Sequence, residues 1–175
     1  MFKRFIPDYH APSVYDVKVE LYHSIGVKNV LIDLDNTLDS YRLFSPSPRA
    51  LALKENLIAS GIKIFIISNN HGPRVTAYAN ALGVECLHST RKPFAYKVRR
   101  LLKEKNYLPE ETMLVGDQLI TDVLCAKRAG IRVLLTEKIV EEDQWTTHFN
   151  RLLDRPIRRY LKKKGLLKEW VSKND

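Results

Sequence analysis

The chain has 175 residues, the size of one ordinary domain and long enough to bury a core. Its composition is 45% hydrophobic and 28% charged, which excludes a disordered chain, and no run reaches the roughly 18–20 apolar residues needed to span a bilayer. The formal net charge is +9 and the pI about 9.6, an excess that points to a polyanionic partner: nucleic acid, an anionic membrane surface or a phosphorylated substrate.

Residues 1–22 hold two prolines and the aromatics Phe2, Phe5, Tyr9, Tyr15 and Tyr22, with no continuous apolar core and no small-residue cleavage site. This predicts no secretory leader and a cytoplasmic chain. Apolar runs at 27–34 (VKNVLIDL), 62–67 (IKIFII), 84–87 (VECL), 112–115 (TMLV) and 131–135 (IRVLL) predict five strands. Such near-continuous apolar strands belong to a parallel sheet covered on both faces. Helical patterns lie between them at 48–60, 73–82, 94–105 and 121–129; the first two open on proline, and three stop before glycine. Repeated strand–helix–strand order predicts a doubly wound α/β fold. Residues 141–175 read as a helical, basic extension of a single domain whose core is 27–136. Cys86 and Cys125 each sit in an apolar run and lack metal-site spacing, so both read as buried small hydrophobes.

The residues just beyond the strands carry the chemistry, because functional groups in open α/β sheets gather at the carboxyl ends. The first run ends in Asp33-Leu34-Asp35-Asn36-Thr37 and the second in Ser68-Asn69-Asn70. Arg91-Lys92-Pro93 comes after the third, and the fourth ends in Gly116-Asp117 with Thr121-Asp122 close behind. Each of these alone is an ordinary turn or cap. Together, Asp33, Asp35 and Asp117 place repelling carboxylates at one edge, which calls for a hard cation such as Mg²⁺. Lys92 adds a positive point charge and Ser68 a hydroxyl donor, and the set makes a phosphoryl-transfer site.

Asp33-x-Asp35-x-Thr37, Ser68, Lys92 and Gly116-Asp117-x₄-Asp122 resemble the four motifs of the haloacid dehalogenase-like (HAD) superfamily across residues 27–136. The strings Asp33-Leu34-Asp35-Asn36-Thr37-Leu38, Ser68-Asn69-Asn70, Lys92-Pro93 and Gly116-Asp117-Gln118-Leu119-x-Thr121-Asp122 resemble its subclass IIIA, YqeG-like branch. The resemblance implies a Rossmann-like sheet in the order 5-4-1-2-3. It implies a nucleophile at Asp33, an acid–base at Asp35, and phosphate binding by Ser68, Asn69 and Lys92. It also implies Mg²⁺ on Asp33, the backbone carbonyl of Asp35, and Asp117. Thr37, Gly116 and Asp122 are implied as supporting residues.

Asp33 to Ser68 spans 35 residues and Ser68 to Lys92 spans 24, too few in either gap for a cap domain. The site is therefore expected to be open and suited to a large or surface-presented substrate. Residues 151–175 hold nine Lys or Arg against three acids, interleaved with leucines and Trp170. Such a segment is either a membrane-surface element or a helix packed by its leucines on the domain. Its basic side chains Arg158, Arg159, Lys162, Lys163 and Lys164 are expected to stand apart from the Asp33 constellation. The YqeG-like branch resembles phosphatidylglycerophosphate phosphatases, which implies a phosphorylated lipid substrate and peripheral contact with the inner face of the membrane. Nucleic-acid ends or nucleotides are the alternative substrates, although no aromatic-plus-basic ribbon for stacking single strands is present. The third reading is an interaction protein with little activity.

Overall fold

The computed structural model describes residues 3–139 and 148–167, with no side-chain detail for 148–151. The elements in chain order are β1 (Tyr9–Ala11), α1 (Val19–Ser24), β2 (Asn29–Asp33), α2 (Pro48–Ala59), β3 (Lys63–Ile67), α3 (Gly72–Leu82), β4 (Glu85–Leu87), α4 (Tyr96–Lys105), β5 (Thr112–Gly116), α5 (Leu124–Ala129), β6 (Arg132–Thr136) and α6 (His148–Lys163). A π-helical turn, Leu119–Val123, leads into α5.

The six strands form one all-parallel sheet in the order β1-β6-β5-β2-β3-β4. The five expected strands are present in the expected order. The sheet gains a sixth at the edge, where Tyr9–Ala11 pairs with Leu134–Thr136. Asp8 locks this strand in place: its carboxylate accepts from the Val133 amide at 2.9 Å and pairs with Lys127 at 2.5 Å.

Alternation along each strand divides the core into two layers. Val30, Ile32, Ile64, Ile66, Met113 and Val115 join the layer that includes Tyr22, Leu57 and Tyr78. Leu31, Phe65, Ile67, Leu114, Val133 and Leu135 face the opposite layer, with Val98, Leu101, Cys125 and Leu161. Cys125 is fully buried as expected, whereas Cys86 on the short outer strand β4 is only half-buried. Leu161 brings α6 onto the second layer, so the described part of the basic extension packs on the domain through Leu161 with Ile157, Leu166 and Leu167, while Leu152 and Leu153 stay exposed. Trp170 and the other residues of 140–147 and 168–175 lie outside the described residues.

The central strand β2 lies between β3 and β5 and is where the chain changes direction across the sheet. Every strand points the same way, so Asp33, Ser68, Lys92 and Gly116-Asp117 all emerge at one edge, at this switch point. Among the described residues no domain covers that edge.

Candidate active site

The loop after β2 is a tight turn. The amides of Leu38 and Asp39 both return to the Leu34 carbonyl, and Asn36 takes a left-handed conformation at φ 64° that asparagine tolerates. Buried Asp39 fixes the loop from below, accepting from Tyr78 Oη at 2.6 Å and from the Ser47 amide at 2.9 Å. Tyr15 of the N-terminal segment donates its hydroxyl to the Leu38 carbonyl.

Lys92 is the hub of the site. Its buried ammonium lies 2.5 Å from Asp33 Oδ1 and 2.7 Å from Asp122 Oδ1. Burial opposes its charge, but Asp122 and Asp33 overcome that effect and raise its pKa. Asp33, Asp117 and Asp122 are all buried and can bring carboxylate oxygens within 4.8 Å of one another. Burial pushes Asp33 well above the usual carboxylate range; Lys92 pulls it back, and Asp122, Asp117 and Asp35 push it further up. One lysine cannot balance three buried carboxylates, so the donor set, all hard oxygen, fits a divalent cation.

Asp122 accepts from the Gln118 amide on its second oxygen at 3.0 Å, which ties the π-helical turn to Lys92. Gly116 makes room for this carboxylate: a Cβ there would lie 2.3 Å from Asp122 Cγ. Thr37 Oγ1 makes only long contacts, 3.5 Å to Asp33 and 3.4 Å to Asp117.

The Asp35 carboxylate turns the other way. It accepts from Arg74 at 2.6 Å, Asn70 Nδ2 at 2.7 Å and Ser68 Oγ at 3.3 Å. Asn69 lines the pocket, but both ends of its amide serve the Lys92 loop: Oδ1 accepts from Thr90 Oγ1 and the Lys92 amide, each at 2.7 Å, and Nδ2 donates to the Lys92 carbonyl at 2.9 Å. Asp33, Asp35, Ser68, Asn69 and Lys92 thus meet at one open pocket, which Asn36, Tyr41, Asn70, Gln118 and Thr121 complete. Asp117, Asp122, Thr37 and Gly116 lie buried beside it.

Three contributors escape the sequence patterns. Arg74 is one, and a signal for it exists. A cation in the first turn of a helix opposes the helix dipole, which favours an acidic partner nearby. Asp154 and Arg158 on α6 are the others. Asp154 accepts from the amides of Leu119 and Ile120 at 2.8 and 2.9 Å. Arg158 donates to the carbonyl of Asp117 at 2.7 Å and pairs with Glu137 at 2.9 Å. For Arg158 alone this corrects the expectation that the basic side chains of the extension stand apart from the site. Arg158 belongs to the frame of Asp117, and Lys162 is held by Glu137 at 3.0 Å. Backbone partners leave no mark in sequence spacing, which is why these contacts were hidden.

Residues 2–140 match the family model described as mitochondrial PGP phosphatase. "Probable phosphatase YqeG" of Bacillus subtilis is 33% identical over 168 residues, covering 96% of this chain and 97% of that protein. "Phosphatidylglycerophosphate phosphatase 1, chloroplastic/mitochondrial" of Arabidopsis thaliana is 27% identical over 158 residues, covering 85% of this chain and 43% of the plant protein. Among solved structures, an uncharacterised Listeria monocytogenes protein superimposes with a TM-score of 0.54 at 17% identity, over 79% of this chain and 99% of its own. A Legionella pneumophila protein assigned to the HAD superfamily, subfamily III A, gives 0.51 at 19% identity, over 85% and 90%. These two likenesses concern the fold.

Proposed function

The chain belongs to the mitochondrial PGP phosphatase family and is a phosphatase, and from that premise we propose that it hydrolyses the terminal phosphomonoester of a phosphatidylglycerophosphate lipid through an aspartyl-phosphate at Asp33. The observation that supports this most is Lys92, buried between Asp33 and Asp122 beside a third carboxylate at the mouth of an open pocket.

Each step is carried by a residue of the pocket. The phosphoryl oxygens accept hydrogen bonds from Ser68 Oγ and Lys92 Nζ, which line the pocket. An Asp33 carboxylate oxygen bonds to phosphorus as the ester P–O bond breaks, and Asp35 gives a proton to the departing alkoxide. Asp35 then takes a proton from water, whose oxygen attacks phosphorus and frees Asp33. Asn69 keeps Lys92 in place by holding residues 90–92. Mg²⁺ would be held by Asp33, Asp117 and the Asp35 carbonyl, with Thr37, Gly116 and Asp122 in support, and would offset the negative charge of the carboxylates and of the phosphoryl group. No helix of the described residues is long and apolar enough to cross a membrane. In this reading the lipid substrate is what brings the enzyme to the membrane surface, as a peripheral protein on the cytoplasmic side.

The test is phosphate release from phosphatidylglycerophosphate, an oligonucleotide 3′-phosphate and a panel of small phosphate esters, with and without chelator. Preference for the lipid, loss of turnover on chelation and loss in Asp33→Asn are expected. Near-normal turnover by Asp33→Asn would end the covalent mechanism, and preference for the oligonucleotide would replace the substrate.

A further inference from the structure

Of the nine large apolar side chains exposed among the described residues, six lie on segments at the carboxyl edge of the sheet, around the pocket. Leu43 and Phe44 come after β2, Phe94 and Tyr96 after β4, and Leu152 and Leu153 lie in α6 beside Asp154, which binds the turn after β5. Phe44, Phe94 and Leu152 are 66%, 64% and 65% exposed. By contrast, Ile58 and Leu108 lie just before β3 and β5, at the opposite edge. Single exposed apolar residues are ordinary, but a set gathered around one opening marks a surface for an apolar partner.

The charge of the same rim narrows the partner. The segments 40–47, 71–74, 88–97 and 152–155 contain Arg42, Arg91 and Arg155 on the surface, and their one acid, Asp154, is buried on backbone amides. Among the described residues of these segments, apolar tips stand beside cations with no exposed acid between them; Glu137, after β6, is half-exposed but held by His10, Arg158 and Lys162. Four of the six tips stand within a few residues of the pocket-lining Tyr41 and Lys92. Three of the six are leucines, which have no face for stacking a base, so the pattern favours lipid over single-stranded nucleic acid.

We propose that this rim is a membrane-docking surface: Leu43, Phe44 and Phe94 enter the headgroup layer of a bilayer carrying anionic lipids while Arg42 and Arg91 engage the anionic headgroups. The proposal rests on the lipid-phosphatase reading and deepens it. The pocket opens in the middle of the rim, so docking places a lipid phosphomonoester over Lys92 and Asp33 without extracting the lipid. The bilayer excludes bulk water from the mouth of a site that has no cap among the described residues. The basic helix α6 lies at the border of this surface, with its inner face tied to the turn after β5.

The test is co-sedimentation with mixed phosphatidylcholine–phosphatidylglycerol vesicles, which contain no phosphomonoester and so report docking separately from catalysis. Wild-type protein is expected to sediment with them and to sediment less with phosphatidylcholine alone. A triple Leu43→Ser, Phe44→Ser, Phe94→Ser variant is expected to bind at least about tenfold more weakly, since each side chain loses apolar burial. Arg42→Gln with Arg91→Gln is expected to weaken binding by about fivefold per arginine. Ile58→Ser with Leu108→Ser, at the far edge, is expected to bind as wild type. Circular dichroism of each variant excludes unfolding as the cause. Wild-type protein that does not sediment, or a folded triple variant that binds normally, overturns the proposal. It is overturned equally if the substitutions spare vesicle binding and weaken binding to an oligonucleotide 3′-phosphate. Failure of the underlying reading looks different: the protein binds vesicles through the rim but releases no phosphate from phosphatidylglycerophosphate.

Discussion

Two residues show how tightly the site is built. Gly116 ends β5 against the Asp122 side chain, whose Cγ a new Cβ would approach to 2.3 Å. Asp122 cannot yield, because one oxygen holds Lys92 and the other the Gln118 amide. Gly116→Ala is therefore expected to cost about 1–3 kcal/mol by overpacking. It is also expected to weaken divalent-cation binding, read by thermal denaturation and calorimetric titration with Mg²⁺ as the probe; a variant matching wild type in both would show that the turn can shift freely. Arg74 acts at longer range, by fixing the Asp35 carboxylate from the first turn of α3 at 2.6 Å. Arg74→Gln leaves Asp35 to Asn70 and Ser68 alone. Misplacing a reacting group by an ångström costs on the order of 10²-fold, so kcat for an aryl phosphate is expected to fall by about that factor with KM little changed. An unchanged kcat would show that Asn70 and Ser68 suffice.

At the scale of elements, α6 is a brace for the turn that carries Asp117. Its Asp154 accepts from two backbone amides, and its Arg158 reaches the Asp117 carbonyl. Burial raises the Asp154 pKa to about 6, although the Leu119 and Ile120 amides and Arg158 pull it down. A carboxyl raised in the folded state adds stability that is complete below its unfolded pKa and is lost as pH rises through the folded value. The stability difference between wild type and Asp154→Asn is thus expected to shift toward the variant between about pH 4 and about pH 6 and then level off. Denaturant unfolding of both proteins across that range measures it; a pH-independent difference would mean that Asp154 titrates alike in the folded and unfolded chains. This brace was not legible in the sequence, where 151–175 showed a basic amphipathic segment with two possible partners. The five core strands were legible, because their apolar runs break sharply into Asp33, Ser68 and Gly116-Asp117. The edge strand Tyr9–Ala11 was not. It has three residues between Pro7 and Pro12, and its pairing exists only once β6 is in place. The meeting of Lys92 with Asp33 and Asp122 could be inferred because Asp33 ends a strand and the other two come after strands of the same parallel sheet, whereas Arg74 depends on the direction in which α3 leaves it.

For the whole molecule, the governing quantity is charge around an uncovered site. A net charge of +9 on 175 residues creates a field that draws polyanions, and an open pocket leaves its approach exposed to that field. Inside, matters differ: Lys92 and its two carboxylates are buried, and salt screens such pairs far less than surface charges. Ionic strength should therefore separate encounter from chemistry. The Debye length shrinks from about 10 Å at 0.1 M to about 3 Å at 1 M, which removes long-range attraction while sparing the buried pairs. With phosphatidylglycerophosphate in anionic vesicles, kcat/KM is expected to fall by at least about tenfold across that range, and kcat at saturating vesicle concentration is expected to stay within about twofold. Steady-state phosphate release at both salt concentrations supplies the measurement. A kcat/KM that ignores salt would detach the net charge from substrate capture and leave it as a property of solubility. A kcat that falls in step with kcat/KM would place the salt-sensitive contacts at the reacting group itself, in conflict with the burial of Lys92.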